Sequence, residues 1–311
     1  MSISVIVPVF NESENINLFL DRIIKVLEKA THEYEIIFIL DPSKDDTEQK
    51  IKNKLKENPK IKLIKFSRRF GQPAATLAGI KNSSYEKIVF IDVDLQDPPE
   101  LIIEMYENSK KGFETILAKR RKKKGENPVR KLISDVGYYL ISKLSDTNIP
   151  MNVGEYRMIS RRVANEIIKL EEKEFFLRGI NSFIGFSQKI LEFDREPRTK
   201  GSTKYNKFTG SLRIGLNGIF SFSTKPLHFI TILSTISFIF SFTIFVLYLL
   251  LTAFKLFVFK YQFFIITLIL LVSSLIFFSL GIISEYLARI IPDIKKRPTY
   301  IIENKYNFKD K

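Results

Sequence analysis

Two stretches near the end of the chain constrain its fold more than any other feature. Leu227 to Phe254 contains no Asp, Glu, Lys or Arg, and neither does Gln262 to Ile283. Each exceeds the roughly 20 apolar residues that carry a helix across a bilayer core. Buried core helices are the alternative, which these lengths disfavour. Only the short segment from Lys255 to Tyr261 separates the two, so they are expected to pair as a hairpin. Lys200, Lys204, Lys207, Arg213 and Lys225 precede the hairpin, and Arg289, Lys295, Lys296 and Arg297 follow it. The positive-inside rule puts both flanks in the cytoplasm, with Leu256 to Phe259 outside. The start, Met1-Ser2-Ile3-Ser4-Val5, lacks a basic leader and reads as a first strand rather than a signal peptide.

The rest of the chain has a different grammar. Strand-like runs at Ile3 to Val9, Tyr34 to Leu40, Ile61 to Phe66 and Lys87 to Ile91 alternate with helical periodicity at Ser13 to Ala30, Asp45 to Leu55 and Gln72 to Lys81. Such alternation predicts an α/β domain with a mainly parallel sheet. Ligands of these sheets sit at the carboxyl ends of the strands, where Asn11, Asp41, Ser67, Asp92 and Asp94 fall. From about Arg195 the sequence turns basic, and Ser211 to Phe222 is patterned as a helix in the membrane interface, with a core-facing helix as the alternative. The predicted organisation is therefore a cytoplasmic domain over 1–194, an interface segment over 195–226, two transmembrane helices over 227–288 and a cytoplasmic tail over 289–311. The protein is expected in the cytoplasmic membrane with both termini inside.

Charge narrows the partners. The chain has 49 Lys and Arg against 34 Asp and Glu, a net +15. That excess suits nucleic acid, anionic lipid or phosphorylated substrates. Much of it flanks the apolar stretches, so anionic headgroups are the nearer partner and nucleic acid is not expected. Cysteine is absent, which excludes a disulfide framework and thiolate chemistry.

The chemistry concentrates in Asp92-Val93-Asp94-Leu95-Gln96-Asp97-Pro98-Pro99-Glu100. Alternate side chains of an extended segment share a face, so Asp92 and Asp94 point together, with Gln96 beside them if the geometry persists. Two carboxylates and an amide oxygen suit Mg²⁺ or Mn²⁺, and such an ion stabilises a diphosphate leaving group. Asp97, Pro98 and Glu100 fit the cap and first turn of a following helix.

Read together, Val7-Pro8-Val9-Phe10-Asn11-Glu12, Asp41-Pro42-Ser43-Lys44-Asp45-Asp46-Thr47 and Asp92-Val93-Asp94-Leu95-Gln96-Asp97-Pro98-Pro99 resemble the ordered motifs of family 2 inverting glycosyltransferases of GT-A fold. Phe176-Leu177-Arg178-Gly179, Arg198-Thr199-Lys200-Gly201-Ser202-Thr203-Lys204-Tyr205, Ser284-Glu285-Tyr286-Leu287 and Arg297-Pro298-Thr299-Tyr300 resemble the bacterial two-helix polyprenyl-phosphate branch, relatives of dolichol-phosphate mannose synthase. The resemblance covers about the whole chain. It implies a Rossmann-like GT-A domain with interface helices and a transmembrane hairpin. It also implies inverting hexose transfer from a nucleotide sugar to a polyprenyl phosphate, for cell-envelope glycan modification. UDP-glucose and undecaprenyl phosphate are the first choice; UDP-N-acetylglucosamine and GDP-mannose stay open. It implies nucleotide-sugar contacts at Pro8, Asn11, Glu12, Asp41, Asp92, Asp94 and Arg157, and metal ligands at Asp92, Asp94 and Gln96. Arg198, Ser202 and Lys204 would take the lipid phosphate, and Asp94 and Glu155 the catalytic roles. A homo-oligomer is expected by the same precedent.

Three places depart from the family pattern: Leu40-Asp41-Pro42-Ser43 where Asp-Asp-Gly-Ser is usual, Glu155-Tyr156 where Asp-Phe is usual, and Arg69 where Asn is common. Rival readings are a processive polysaccharide synthase, disfavoured by the lack of Trp and by a single hairpin, and a non-enzymatic membrane adaptor, which would not need the carboxylate pair.

Overall fold

The computed structural model describes residues 2–121, 153–170, 177–197 and 261–308, with single positions and short runs between 229 and 250. Strands β1 (Ile3–Val9), β2 (Tyr34–Leu40), β3 (Ile61–Phe66) and β4 (Lys87–Phe90) alternate with helices α1 (Ile16–Ala30), α2 (Thr47–Glu57) and α3 (Gln72–Asn82). These are the elements that the apolar periodicity predicts, displaced by a few residues at their ends. There follow α4 (Leu101–Lys110), β5 (Thr115–Arg120), β6 (Val153–Ser160), α5 (Arg161–Lys169), α6 (Leu177–Ile184), β7 (Gln188–Phe193), α7 (Tyr261–Ile294) and β8 (Ile302–Tyr306).

The strands form one eight-stranded sheet in the order β7-β5-β6-β4-β1-β2-β3-β8. Its centre, β4-β1-β2-β3, is parallel, while β6 and β8 run antiparallel to their neighbours. Helices cover both faces. On one, α1, α2 and α4 bury Phe19, Ile23, Ile51 and Met105 against Val5, Val7 and Phe38. On the other, α3, α5 and α6 bury Leu77, Ala78, Val163 and Ile180 against Ile6, Ile37 and Ile64. The period of two along β1 and β2 thus feeds two cores at once, as a central parallel strand requires. Gly79 lets α3 approach: a Cβ there would run into the Ile6 side chain.

Pairing of β1 with β4 ends at Ile6 and Phe90, after which Ile91 N donates to Ile6 O. At the next step Pro8 has no N–H to offer. The two chains separate there, and the carboxylate segment begins in the opening.

The chain end departs from the expected separate tail. Residues 302–306 form β8 and pair antiparallel with β3, Leu63 opposite Tyr306 and Phe66 opposite Ile302. An edge strand with free backbone groups is a ready template for such addition. Among the described residues, α7 is long and apolar enough to cross a membrane, with a mean hydropathy of 1.6 over Leu275–Ile294. Its Ile269, Phe277, Leu280 and Ile291 are exposed, as are Phe229, Ile236, Phe240 and Leu250 in the preceding stretch, whose described positions are helical. Residues 198–228 and 251–260, which hold all but the first three residues of the expected interface segment and all but the last of the expected hairpin loop, lie outside the described residues.

Candidate active site

At the carboxyl end of β4 strand hydrogen bonding stops at Phe90, yet the alternation of faces continues. Ile91, Val93, Leu95 and Asp97 are buried, while Asp92, Asp94 and Gln96 are partly open. The turn is closed by Leu95 at φ 58° and by Gln96 N donating to Asp94 Oδ1 at 3.2 Å. Asp92, Asp94 and Gln96 therefore lie on one side, by a turn rather than a continued strand.

Electrostatics sharpen the site. The Asp92 carboxyl is pushed up to about 7, first by burial, then by the charges of Asp97 and Asp94, with Glu155 adding and Arg120 opposing. Its Oδ1 accepts a hydrogen bond from Gln72 Nε2 at 2.9 Å. Clustered carboxylates with this much mutual repulsion are what a divalent cation relieves. Among the described residues no three His, Cys, Asp or Glu side chains close a cage. Two carboxylates and one amide, with the rest of the shell left to substrate phosphate and water, is the habit of Mg²⁺ and related ions. The residues present fit such an ion.

The other predicted positions gather at the neighbouring strand ends. Asn11, at the left-handed φ of 51°, follows β1; its backbone N–H donates to Ser43 Oγ at 2.9 Å and its Oδ1 accepts from Lys44 N at 2.7 Å. Glu12 N donates to Thr47 Oγ1 at 2.9 Å, and Glu12 Oε2 accepts from Asn15 Nδ2 at 2.7 Å. Asp45 ties the same loops, accepting from Ser13 N and from the Thr47 backbone and hydroxyl. Burial disfavours the Asp45 charge, but these bonds outweigh it and hold the carboxyl below its ordinary range. Asp41, after β2, is buried, and its two oxygens accept from Phe70 N at 2.9 Å and Gly71 N at 3.0 Å. Pro8, Asn11, Glu12, Asp41, Asp92, Asp94 and Gln96 are thus set around one edge of the sheet. Arg198, Ser202 and Lys204 lie outside the described residues.

One expected site residue is buried, and the expected helix cap is replaced. The guanidinium expected to contact a phosphate, Arg157 on β6, is 1% exposed. It donates to the carbonyl oxygens of Gly154 at 2.6 Å, Glu155 at 3.3 Å and Leu177 at 3.4 Å, and lies 3.7 Å from the Glu155 carboxylate. These bonds satisfy donors of a buried side chain at the centre of a strand. It also steadies Glu155, the residue expected to assist catalysis, which remains partly open. The second change concerns the cap. Helix α4 begins at Leu101, with Glu100 at the N-cap position and no side-chain cap bond. Asp97 turns inward instead: its buried Oδ1 lies 3.5 Å from Arg120 Nη2 and 3.7 Å from Arg195 Nε. Burial pushes the Asp97 carboxyl up, with the charges of Arg120 and Arg195 opposing. Glu100 pairs with Arg22, which also holds Glu196. The partners of these groups lie far along the chain, so sequence offered no local signal for them; nor did it mark Gln72 as a partner of Asp92.

Comparison with known proteins adds the following. The family model described as Glycosyl transferase family 2 matches residues 4–168. A Bacillus subtilis (strain 168) glycosyltransferase, YkcC, is 37% identical over 315 residues, covering 99% of this chain and 95% of that protein. A bactoprenol glucosyl transferase of Shigella phage SfV is 35% identical over 314 residues, covering 98% and 99%. The prophage bactoprenol glucosyl transferase homolog of Escherichia coli (strain K12) is 34% identical over 313 residues, covering 97% and 99%.

Proposed function

We propose that this chain, which belongs to glycosyl transferase family 2 and is a glycosyltransferase, transfers glucose from UDP-glucose to a polyprenyl phosphate of the undecaprenyl type at the cytoplasmic face of the membrane. The observation that carries the reading is the span of the likeness. Relatives named bactoprenol glucosyl transferase align across the sheet domain and the apolar C-terminal stretches together, so the likeness is not confined to the sheet domain.

The arrangement is that of a GT-A transferase, with open carboxylates at the carboxyl ends of parallel strands. Pro8, Asn11, Glu12 and Asp41 take the nucleoside, and Asp92, Asp94 and Gln96 would hold Mg²⁺ or Mn²⁺. A divalent ion bound there neutralises the charge that builds on the departing nucleoside diphosphate. The acceptor phosphate has a second pKa of about 6, so it arrives ionised and needs little base assistance. Glu155 accordingly orients and shields rather than deprotonates. One acceptor oxygen forms a bond to the sugar C1 from the side opposite the diphosphate, the C1–oxygen bond to the diphosphate breaks, and the configuration inverts. Arg198 and Lys204 supply the acceptor phosphate's counter-charge and Ser202 a hydroxyl donor.

The β8–β3 pairing supports the topology. The chain leaves the sheet domain after β7 and returns to it after α7, which fits an even number of membrane crossings. The two uncharged stretches supply two crossings. The test is a panel of labelled UDP-glucose, UDP-N-acetylglucosamine and GDP-mannose with undecaprenyl phosphate and purified protein, counting lipid-extracted label. Label from UDP-glucose is expected. Label from another donor alone would replace the sugar, and none from any donor would overturn the transfer reading.

A further inference from the structure

The segment after α7 does more than close the sheet. We infer that Tyr300 and Ile301 are positioning residues for the nucleotide-sugar site, holding the 67–71 loop from behind so that donor affinity depends on a side chain that touches no donor. This rests on the reading that the nucleotide sugar binds at Asp41 and the Asp92–Asp94 pair.

The 67–71 loop joins β3 to α3 and is held on two sides. Towards the site, Phe70 N and Gly71 N donate to the Asp41 carboxylate, and the Arg69 guanidinium lies 4.0 Å over the Phe10 ring. The next residue, Gln72, donates to Asp92. On the far side, Ser67 N donates to Ile301 O at 3.1 Å. The Tyr300 ring stacks on Phe66 with centroids 5.2 Å apart and planes at 21°. Phe66 in turn meets Phe70 edge-on at 5.5 Å, and Arg68 covers the outer face of Phe70 at 4.0 Å. Phe66 is fully buried, so three rings form a continuous wall from the chain end to the residue whose N–H organises Asp41.

Gly71 sits at φ 88°, a conformation that leaves the loop's shape to its contacts rather than to backbone preference. Without the Tyr300 ring, Phe66 loses the group on one of its faces, and Phe70 is free to move towards the gap. That carries the Phe70 N–H off Asp41 and the Gln72 amide off Asp92. Tyr300 follows closely on the end of the apolar helix at Ile294. The donor site is therefore tied mechanically to the point where the chain leaves that helix.

The test uses the full-length protein in detergent, with UDP-glucose binding followed by calorimetry and KM measured for each substrate. Tyr300→Ala should raise the donor Kd about tenfold, the loss expected for one aromatic pair of this kind, with the KM for polyprenyl phosphate nearly unchanged. Tyr300→Phe keeps the stack and should bind as wild type. Tyr306→Ala, at the other end of β8 beside Lys52, weakens the same strand and should leave donor Kd unchanged. Wild-type affinity in Tyr300→Ala, or an equal loss in Tyr306→Ala, overturns the positioning role and leaves only strand stability. Asp94→Ala separates the two layers: if it loses the donor while Tyr300→Ala does not, only this inference fails. If Asp94→Ala binds UDP-glucose normally, or wild type does not bind it, the site reading fails and this inference with it.

Discussion

Arg157→Met tests whether the buried guanidinium braces the fold or serves a ligand. Methionine keeps most of the stem volume and removes every donor. The carbonyls of Gly154 and Leu177, which Arg157 reaches at 2.6 and 3.4 Å, would be left without that partner inside the wall. Each buried polar group stranded in this way costs about 1–3 kcal/mol. The longer bond belongs at the low end, so the sum is about 3 kcal/mol. The ion pair with Glu155 adds little, since that carboxylate is 28% exposed and well screened. Against a typical stability of about 5–15 kcal/mol, such a loss lowers Tm by about 6–12 °C for a domain of this size. The chain has no Trp and no Cys, so indole fluorescence and thiol dyes are blind to the transition. Calorimetry or far-UV circular dichroism in detergent reads it. A melt within about 2 °C of wild type, accompanied by a tenfold or greater rise in donor KM, would refute the brace and restore the phosphate contact.

Asp94→Ala should abolish transfer while the protein stays folded and membrane-bound, and Mn²⁺ titration in the absence of acceptor should show the lost ion affinity directly; full activity in the variant excludes the ligand role. The Asp92 carboxyl, raised to about 7 in the fold from about 3.9 when unfolded, makes the native state hold more protons than the unfolded one across that window. Metal-free stability should therefore fall as pH rises from about 4 to 7, with Mn²⁺ raising Tm at pH 8 more than at pH 5.5; Asp92→Asn should flatten both trends, and an unaltered pH dependence in that variant rejects the assignment. Gly79→Ala should cost about 1–3 kcal/mol or more by overpacking against Ile6, visible as a lowered Tm with substrate KM values unchanged. In a chain without native cysteine, Phe257→Cys should react with an impermeant thiol reagent from outside intact cells and Asp310→Cys should not; outside labelling of the latter overturns the cytoplasmic placement of the chain end and of the donor site.

The sequence by itself determined the parts of this protein that are local in character. Periodicities of two and 3.6 placed β1 to β4 and α1 to α3 within a few residues, because a buried parallel strand and an amphipathic helix write their burial directly into neighbouring residue types. The Asp92–Asp94–Gln96 face was legible for the same reason, although a turn at Leu95 preserves it where a strand was expected. What sequence could not determine was which distant charge would claim a given side chain. Asp97 has the composition of a helix cap, and Arg157 that of an anion ligand. Asp97 lies instead against Arg120 and Arg195, both distant in sequence, whereas Arg157 donates to the carbonyls of Gly154 and Glu155 beside it on β6 and of Leu177 farther along. The C-terminal segment is the clearest instance. Ile302 to Tyr306 carries a polar pattern suited to a solvated tail, and it becomes a strand only because β3 offers an open edge with unpaired backbone groups. Hydrogen-bond partners supplied from across the chain leave no trace in local pattern, so only the tertiary structure shows that the residues following the apolar helix lie against the loop beside Asp41.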